Sequence, residues 1–208
     1  MIVQRGDVVL NNYRIFKGAF RMSEHEFITF CSPTLAGIKT GNLFTAKYRT
    51  KAELTEEIRR FNLRFRDKGL RLTLLSYTKT RANVYLYRPK YLKHDILDSE
   101  AASILRRLGY KPENADRCVA QLAWRMKQCS DREHFPHEIG LFLGYPPEDV
   151  RGFMEHKDEG CKCTGFWKVY GDRQAAERTF DSYRKCTRIY DACFERGTSL
   201  DKLAVCTR

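Results

Sequence analysis

The stretch from Thr50 to Leu86 constrains the fold more than any other part of the chain. Apolar residues recur there at Leu54, Ile58, Phe61 and Phe65, in steps of four, three and four. That spacing places one buried stripe on a helix, with Thr50 as its cap and Gly69 as its stop. Leu70, Leu72 and Leu74, then Val84 and Leu86, alternate with other residues in two runs separated by Tyr77 to Arg81. Period-two alternation on both sides of a short polar connection predicts an antiparallel hairpin. With Asn42 to Tyr48 read as a further short strand, the order over residues 42–88 is strand, helix, strand, strand. The expected class is α+β, a small antiparallel sheet packed with helices.

Past Pro89 the pattern turns helical: residues 98–108 closed by Gly109, then 112–129 with Val119, Leu122, Ala123 and Met126 on one face. Residues 137–143 end at Gly144, residues 147–156 follow, and Asp172 caps a long helix ending at Gly197. Thr164 to Tyr170 is expected to be a strand that returns to the sheet. Upstream, Asp7 to Phe20 has no clean period. Ser23 with Glu26 forms a capping box for a helix through Phe30, which Pro33 restarts or kinks. The 208 residues contain no internal repeat and no Gly/Ser-rich linker, and 42% hydrophobic content excludes a disordered chain. The expectation is one α+β domain over 1–208, sheet-rich in 1–90 and mostly helical in 91–208. No apolar run approaches the roughly 20 residues of a membrane helix. Arg5 and Asp7 fall where a signal peptide would be apolar. A cytoplasmic location is expected, with the eight cysteines serving as reduced thiols, metal ligands or packing residues.

The chain carries +12, and its excess is local: residues 59–93 hold eleven basic residues and one acid, Asp67. Arg60 and Arg64 lie away from the helix's buried stripe, Lys79 and Arg81 lie at the hairpin, and Tyr85 and Tyr87 share one face of the last strand. On an exposed sheet face these would make a stacking platform for a polyanion or single-stranded nucleic acid. The alternative is a solvated face with two half-buried tyrosines. Residues 137–156 imitate a helix-turn-helix, with Ile139, Gly140, Leu143, Gly144, Val150 and Phe153 in the expected slots. Their four acids against one arginine oppose DNA, so a helical hairpin packed into the core is the expected role.

Three segments are word-like beyond what composition explains: Cys31 to Lys39 (CSPTLAGIK), Phe135 to Phe153 (FPHEIGLFLGYPPEDVRGF) and Cys161 to Asp172 (CKCTGFWKVYGD). Together they resemble a bacterial family, number 3793 in the domain-of-unknown-function series. Where that family often has Pro after the lysine, this chain has Thr40. The resemblance implies no established activity and no cofactor. It implies a loose association with ferrous iron uptake and flavodoxin gene neighbourhoods, and hence a flavodoxin-like or iron-handling partner.

The residues themselves offer three chemistries. Cys161 and Cys163 in a C-x-C, with His156 nearby and Cys186 and Cys193 seven apart on the last helix, could assemble a soft metal site, although such helix cysteines are more often core residues. If Pro33 opens a helix, Cys31 lies at its N-terminus, where the dipole favours a thiolate; His137 could then supply a base, with Glu138 beside it. An anionic ligand could be held by the basic element or where the three segments meet, with Lys39, Trp167 and Lys168 as contributors. A binding or accessory protein is the leading expectation and a thiol-dependent redox enzyme using Cys31 with His137 the alternative.

Overall fold

The computed structural model describes residues 23–129, 134–157 and 159–206; the aperiodic stretch from Asp7 to Phe20 lies outside them. Helix α1 (Glu24–Leu35) begins with the expected capping box: Ser23 Oγ accepts the Glu26 amide at 3.1 Å, and Glu26 Oε2 accepts the Ser23 amide at 2.7 Å. The helix neither stops at Phe30 nor restarts at Pro33. Pro33 sits in its last turn, and Ser32 Oγ meets the Thr29 carbonyl that the missing N–H leaves unbonded, at 3.4 Å. Gly37, at φ +75°, then reverses the chain and leads Lys39 and Thr40 into β1 (Gly41–Lys47).

Helix α2 (Lys51–Phe65) is capped by the Thr50 hydroxyl and buries Leu54, Phe61 and Phe65; Gly69, in the left-handed region, ends the short 3-10 turn that follows. Strands β2 (Arg71–Tyr77) and β3 (Arg81–Tyr87) form the hairpin, and β3 is central, with β1 and β2 antiparallel on either side. The fold is α+β, as expected.

Period-two alternation sends the two sides of β3 into two cores. Ala82, Val84 and Leu86 pack with Phe44 and Leu72 beneath α1, α2, α8 (Arg173–Glu195) and α9 (Leu200–Leu203). Tyr85 and Tyr87 pack with Leu75 beneath α3 (Pro89–Asp95), α4 (Ser99–Arg107), α5 (Ala115–Gln128), α6 (Ile139–Phe142) and α7 (Pro147–His156). The open stacking face expected for Tyr85 and Tyr87 therefore does not exist. The helices after Pro89 fold back over it, the two rings stack on each other at 4.6 Å, and the Tyr85 hydroxyl donates to the Phe142 carbonyl. At roughly 1.5–3 kcal/mol for each large apolar side chain removed from water, covering both faces is the main stabilising term.

A second correction concerns residues 164–170. They form β4 (Cys163–Thr164) and β5 (Lys168–Val169), which pair with each other and not with the main sheet. The tight turn through Gly165 to Trp167 closes this hairpin, and Trp167, Val169, Ala176, Phe180 and Tyr183 form a third, smaller core between it and α8. Helices α3 and α9 were not foreseen; α3 takes Pro89 at its start, where a missing N–H is harmless. Among the described residues no helix is long and apolar enough to cross a membrane.

Candidate functional site

The three word-like segments meet at one corner of the fold. Gly144, at φ +75°, turns α6 into α7, and a Cβ there would lie 2.7 Å from Thr40 Oγ1. Thr40 in turn donates its hydroxyl to Asp95, and its carbonyl accepts the Arg88 amide at 2.9 Å. The first segment thus closes on the second. The second holds the third through Asp149: its Oδ2 accepts the Trp167 indole N–H at 2.7 Å, and its Oδ1 accepts the amides of Tyr170 and Gly171 at 2.7 and 2.8 Å. Asp149 is 2% exposed, so these three charge-assisted bonds replace its hydration.

Lys39 lies at the centre of this corner and is 5% exposed. Its Nζ stands 5.3 Å from the centre of the Tyr145 ring and 5.8 Å from that of Tyr183. Tyr145 stacks on Trp167 at 4.8 Å, and Trp167 meets Phe180 edge-on at 4.5 Å, so the rings around the ammonium are themselves held in place. Among the described residues no oxygen accepts a hydrogen bond from Lys39 Nζ, and the hydroxyls of Tyr145 and Tyr183 have no partner either. Burial brings the Lys39 amine down to about 8, the neighbouring Cys31 sulfur opposing the fall. Burial also pushes the Tyr145 phenol up to about 12 and Tyr183 higher, with Tyr145 and Asp95 adding to the rise at Tyr183. One amine therefore faces the rings of two neutral phenols, and none of the three groups has a hydrogen-bond partner among the described residues.

Cys31 and His137 occupy separate places. Because α1 starts at Glu24, Cys31 is near the helix's C-terminal end, not its N-terminus, and its side chain is fully buried in the core beneath α1 and α2. Burial pushes its thiol well above the ordinary range, which Lys39's charge only partly offsets. His137 stands edge-on to Phe153 at 4.9 Å and lies 5.6 Å from Phe135. Burial and the Lys157 charge lower its imidazole. Glu138 is buried against Arg125, at 2.7 Å, and the Tyr110 hydroxyl, at 2.8 Å, on the far side of that helix start.

The basic stretch is largely engaged. Arg60 and Arg59 pair with Glu56, Arg64 Nε meets Asp201 at 2.7 Å, and Arg71 meets Asp116 at 2.7 Å. Arg88 is wholly buried and donates to the carbonyls of Thr34, Leu35, Lys68 and Val205 at 2.7–2.9 Å, tying α1 to the C-terminal segment. Lys79 and Arg81 are exposed at the hairpin turn. Lys168 lies over the Phe153 ring at 5.8 Å.

Among the described residues no three His, Cys, Asp or Glu side chains are grouped to hold a metal; Cys186 is in the core while Cys161 and Cys163 are at the β4 end of the small hairpin. No disulfide joins the eight cysteines. A cleft of about 650 Å³ runs beside α7, lined by Glu148, Arg151, Glu155, His156, Glu159 and Tyr170 among others. Its three glutamates oppose an anion.

Of these groups, Tyr145, Asp149 and Tyr183 escaped sequence reasoning. Tyr145 and Asp149 stand inside a segment already conspicuous as a word, whereas Tyr183 carries no signal beyond lying on the apolar face of α8. No curated protein and no solved structure matches the chain. The family described as Protein of unknown function (DUF3793) matches over residues 27–204, which takes in all three segments, and the chain belongs to that family.

Proposed function

We propose that the protein binds a small anionic ligand at Lys39, with the hydroxyls of Tyr145 and Tyr183 as further donors. One observation carries this: a lysine buried to 5% exposure faces two aromatic rings with no carboxylate and no hydrogen-bond acceptor among the described residues. A buried cation is ordinarily paired, because leaving it unpaired carries a desolvation penalty. An anion arriving here recovers that penalty, with the ammonium and the two phenols available to it as donors. The basic stretch of residues 59–93 supports the same ligand class less well, since most of its cations already have acceptors within the protein.

The test is thermal unfolding at pH 7 with inorganic phosphate, sulfate and oxalate, on the native chain and on Lys39→Met. Saturable stabilisation of the native chain by at least one of the three, absent from Lys39→Met, is the expected result. Equal stabilisation of both proteins, or of neither, overturns the proposal.

A further inference from the structure

Resting on that anion site, we infer that Lys39 is a reactive amine whose ligand is a small 2-oxo acid or aldehyde acid, with which it condenses reversibly to an imine. The geometry supplies three things such a step needs. The nitrogen has no hydrogen-bond acceptor or carboxylate among the described residues to hold it as an ammonium, so its lone pair can be released. Two aromatic faces fix its position, and the Tyr145 ring is itself clamped by Trp167. The rings of Tyr145 and Tyr183 face the amine and burial keeps their phenols neutral, so that they can donate to a carbonyl oxygen or to a neighbouring carboxylate. The charged and titratable groups around Lys39 are Cys31 on α1, Tyr145 at the α6–α7 turn, Tyr183 on α8 and, through Thr40 and Tyr183, Asp95 on α3. None of them is a carboxylate in contact with the amine, and the amine's fall to about 8 leaves a usable neutral fraction at neutral pH.

The condensation balances without an oxidant or reductant. The neutral amine attacks the carbonyl carbon, a C–N bond forms, and the C=O π pair moves to oxygen. That oxygen takes a proton from one of the two phenols, which is restored by a proton from the nitrogen. The C–O bond then breaks as the oxygen takes the second amine hydrogen and leaves as water, so that C=N replaces C=O. The reverse sequence releases the ligand.

The experiment uses glyoxylate as probe, with cyanoborohydride to trap the imine, on the full native chain at pH 7.5, followed by peptide mapping. Lys39 should be labelled at least about tenfold faster than exposed lysines such as Lys79 and Lys111, because burial lowers its amine to about 8 between two fixed ring faces. Oxalate, an anion without a reactive carbonyl, should slow this labelling by competition. Labelling spread over exposed lysines with Lys39 unmodified overturns the inference. If oxalate still stabilises the native chain but not Lys39→Met, anion binding stands and only the carbonyl chemistry falls; if oxalate, phosphate and sulfate all leave both proteins unmoved, the two fall together. Because the labelling result is read on the native chain, it does not depend on whether a variant folds.

Discussion

Asp149 Oδ2 accepts the indole N–H of Trp167 at 2.7 Å, one of three bonds by which Asp149 couples α7 to the small hairpin carrying the aromatic wall of the Lys39 site. Asp149→Asn keeps the shape and the two amide bonds to Oδ1 but turns an N–H donor toward the indole. A buried indole N–H left without an acceptor destabilises by about 1–3 kcal/mol. Urea unfolding followed by tryptophan emission in a Trp124→Phe background isolates Trp167, since the chain has two tryptophans. The midpoint should fall, with a shifted native emission maximum. An unchanged midpoint would mean that the indole bond contributes nothing.

Lys39→Met should stabilise the chain at neutral pH. The folded amine ionises near 8 and the unfolded one near 10.5, so between those values the unfolded chain binds more protons and stability rises with pH. Below pH 8 the full penalty of burying the charge applies, on the order of 3 kcal/mol for such a shift. The variant should therefore be more stable by up to about 3 kcal/mol at pH 7, a margin that shrinks as pH rises from 8 toward 10.5. Unfolding midpoints of both proteins across that range, without added anions, check the sign.

The strand, helix, strand, strand order was legible because each element declares itself by its own period, and Thr50, Ser23 and Gly69 mark ends through local hydrogen bonds and backbone freedom. What covers Tyr85 and Tyr87 was not legible, because one strand's alternation says which residues share a face and nothing about which later helices arrive on it. Arg88 shows the same limit: it sits among ten other cations in the sequence, and only the tertiary meeting of α1 with the C-terminal segment makes it a structural tie. Pro33 misled for a physical reason. A proline in the last turn loses one bond that Ser32 takes over, so the helix does not break there, and Cys31 is left in the core. The corner where the three segments meet was anticipated as a place, but Tyr183 entered it from a helix whose face looks like ordinary core.

Arg88→Lys should destabilise more than its conservation of charge suggests. The guanidinium forks to carbonyls of four residues from three parts of the chain, and a lysine's three N–H groups on a single atom cannot span them. Leaving buried carbonyls unmet removes at least about 2 kcal/mol. Hydrogen exchange should show the Leu200–Leu203 helix opening first, because the Val205 carbonyl is one of the lost acceptors. Exchange confined to other helices would contradict this tie.

Alkylation separates the cysteines by position. Cys31 is enclosed and its thiol is pushed far up by burial, whereas Cys206 is exposed. With iodoacetamide at pH 8, the exposed Cys206 should react in the folded chain and Cys31 only as the chain unfolds. Rapid native-state modification of Cys31 would restore it as a candidate nucleophile.

Gly144 and Gly109 provide a matched pair for the last prediction. Both have positive φ, +75° and +82°, so an alanine at either is strained by about 1 kcal/mol. They differ in what the new methyl group meets. At Gly109 the nearest atom is 3.9 Å away, whereas at Gly144 the Thr40 side chain lies at 2.7 and 2.9 Å, and Thr40 is fixed by its bonds to Asp95 and Arg88. Gly109→Ala should therefore show only the backbone strain, and Gly144→Ala a further 1–3 kcal/mol or so from overpacking. Relief of that clash must move the α6–α7 turn, which carries Tyr145 as its next residue, away from Lys39. Gly144→Ala should accordingly weaken anion-dependent stabilisation as well as lower the midpoint, while Gly109→Ala lowers the midpoint alone. Equal effects of the two substitutions on both measurements would separate the turn from the site.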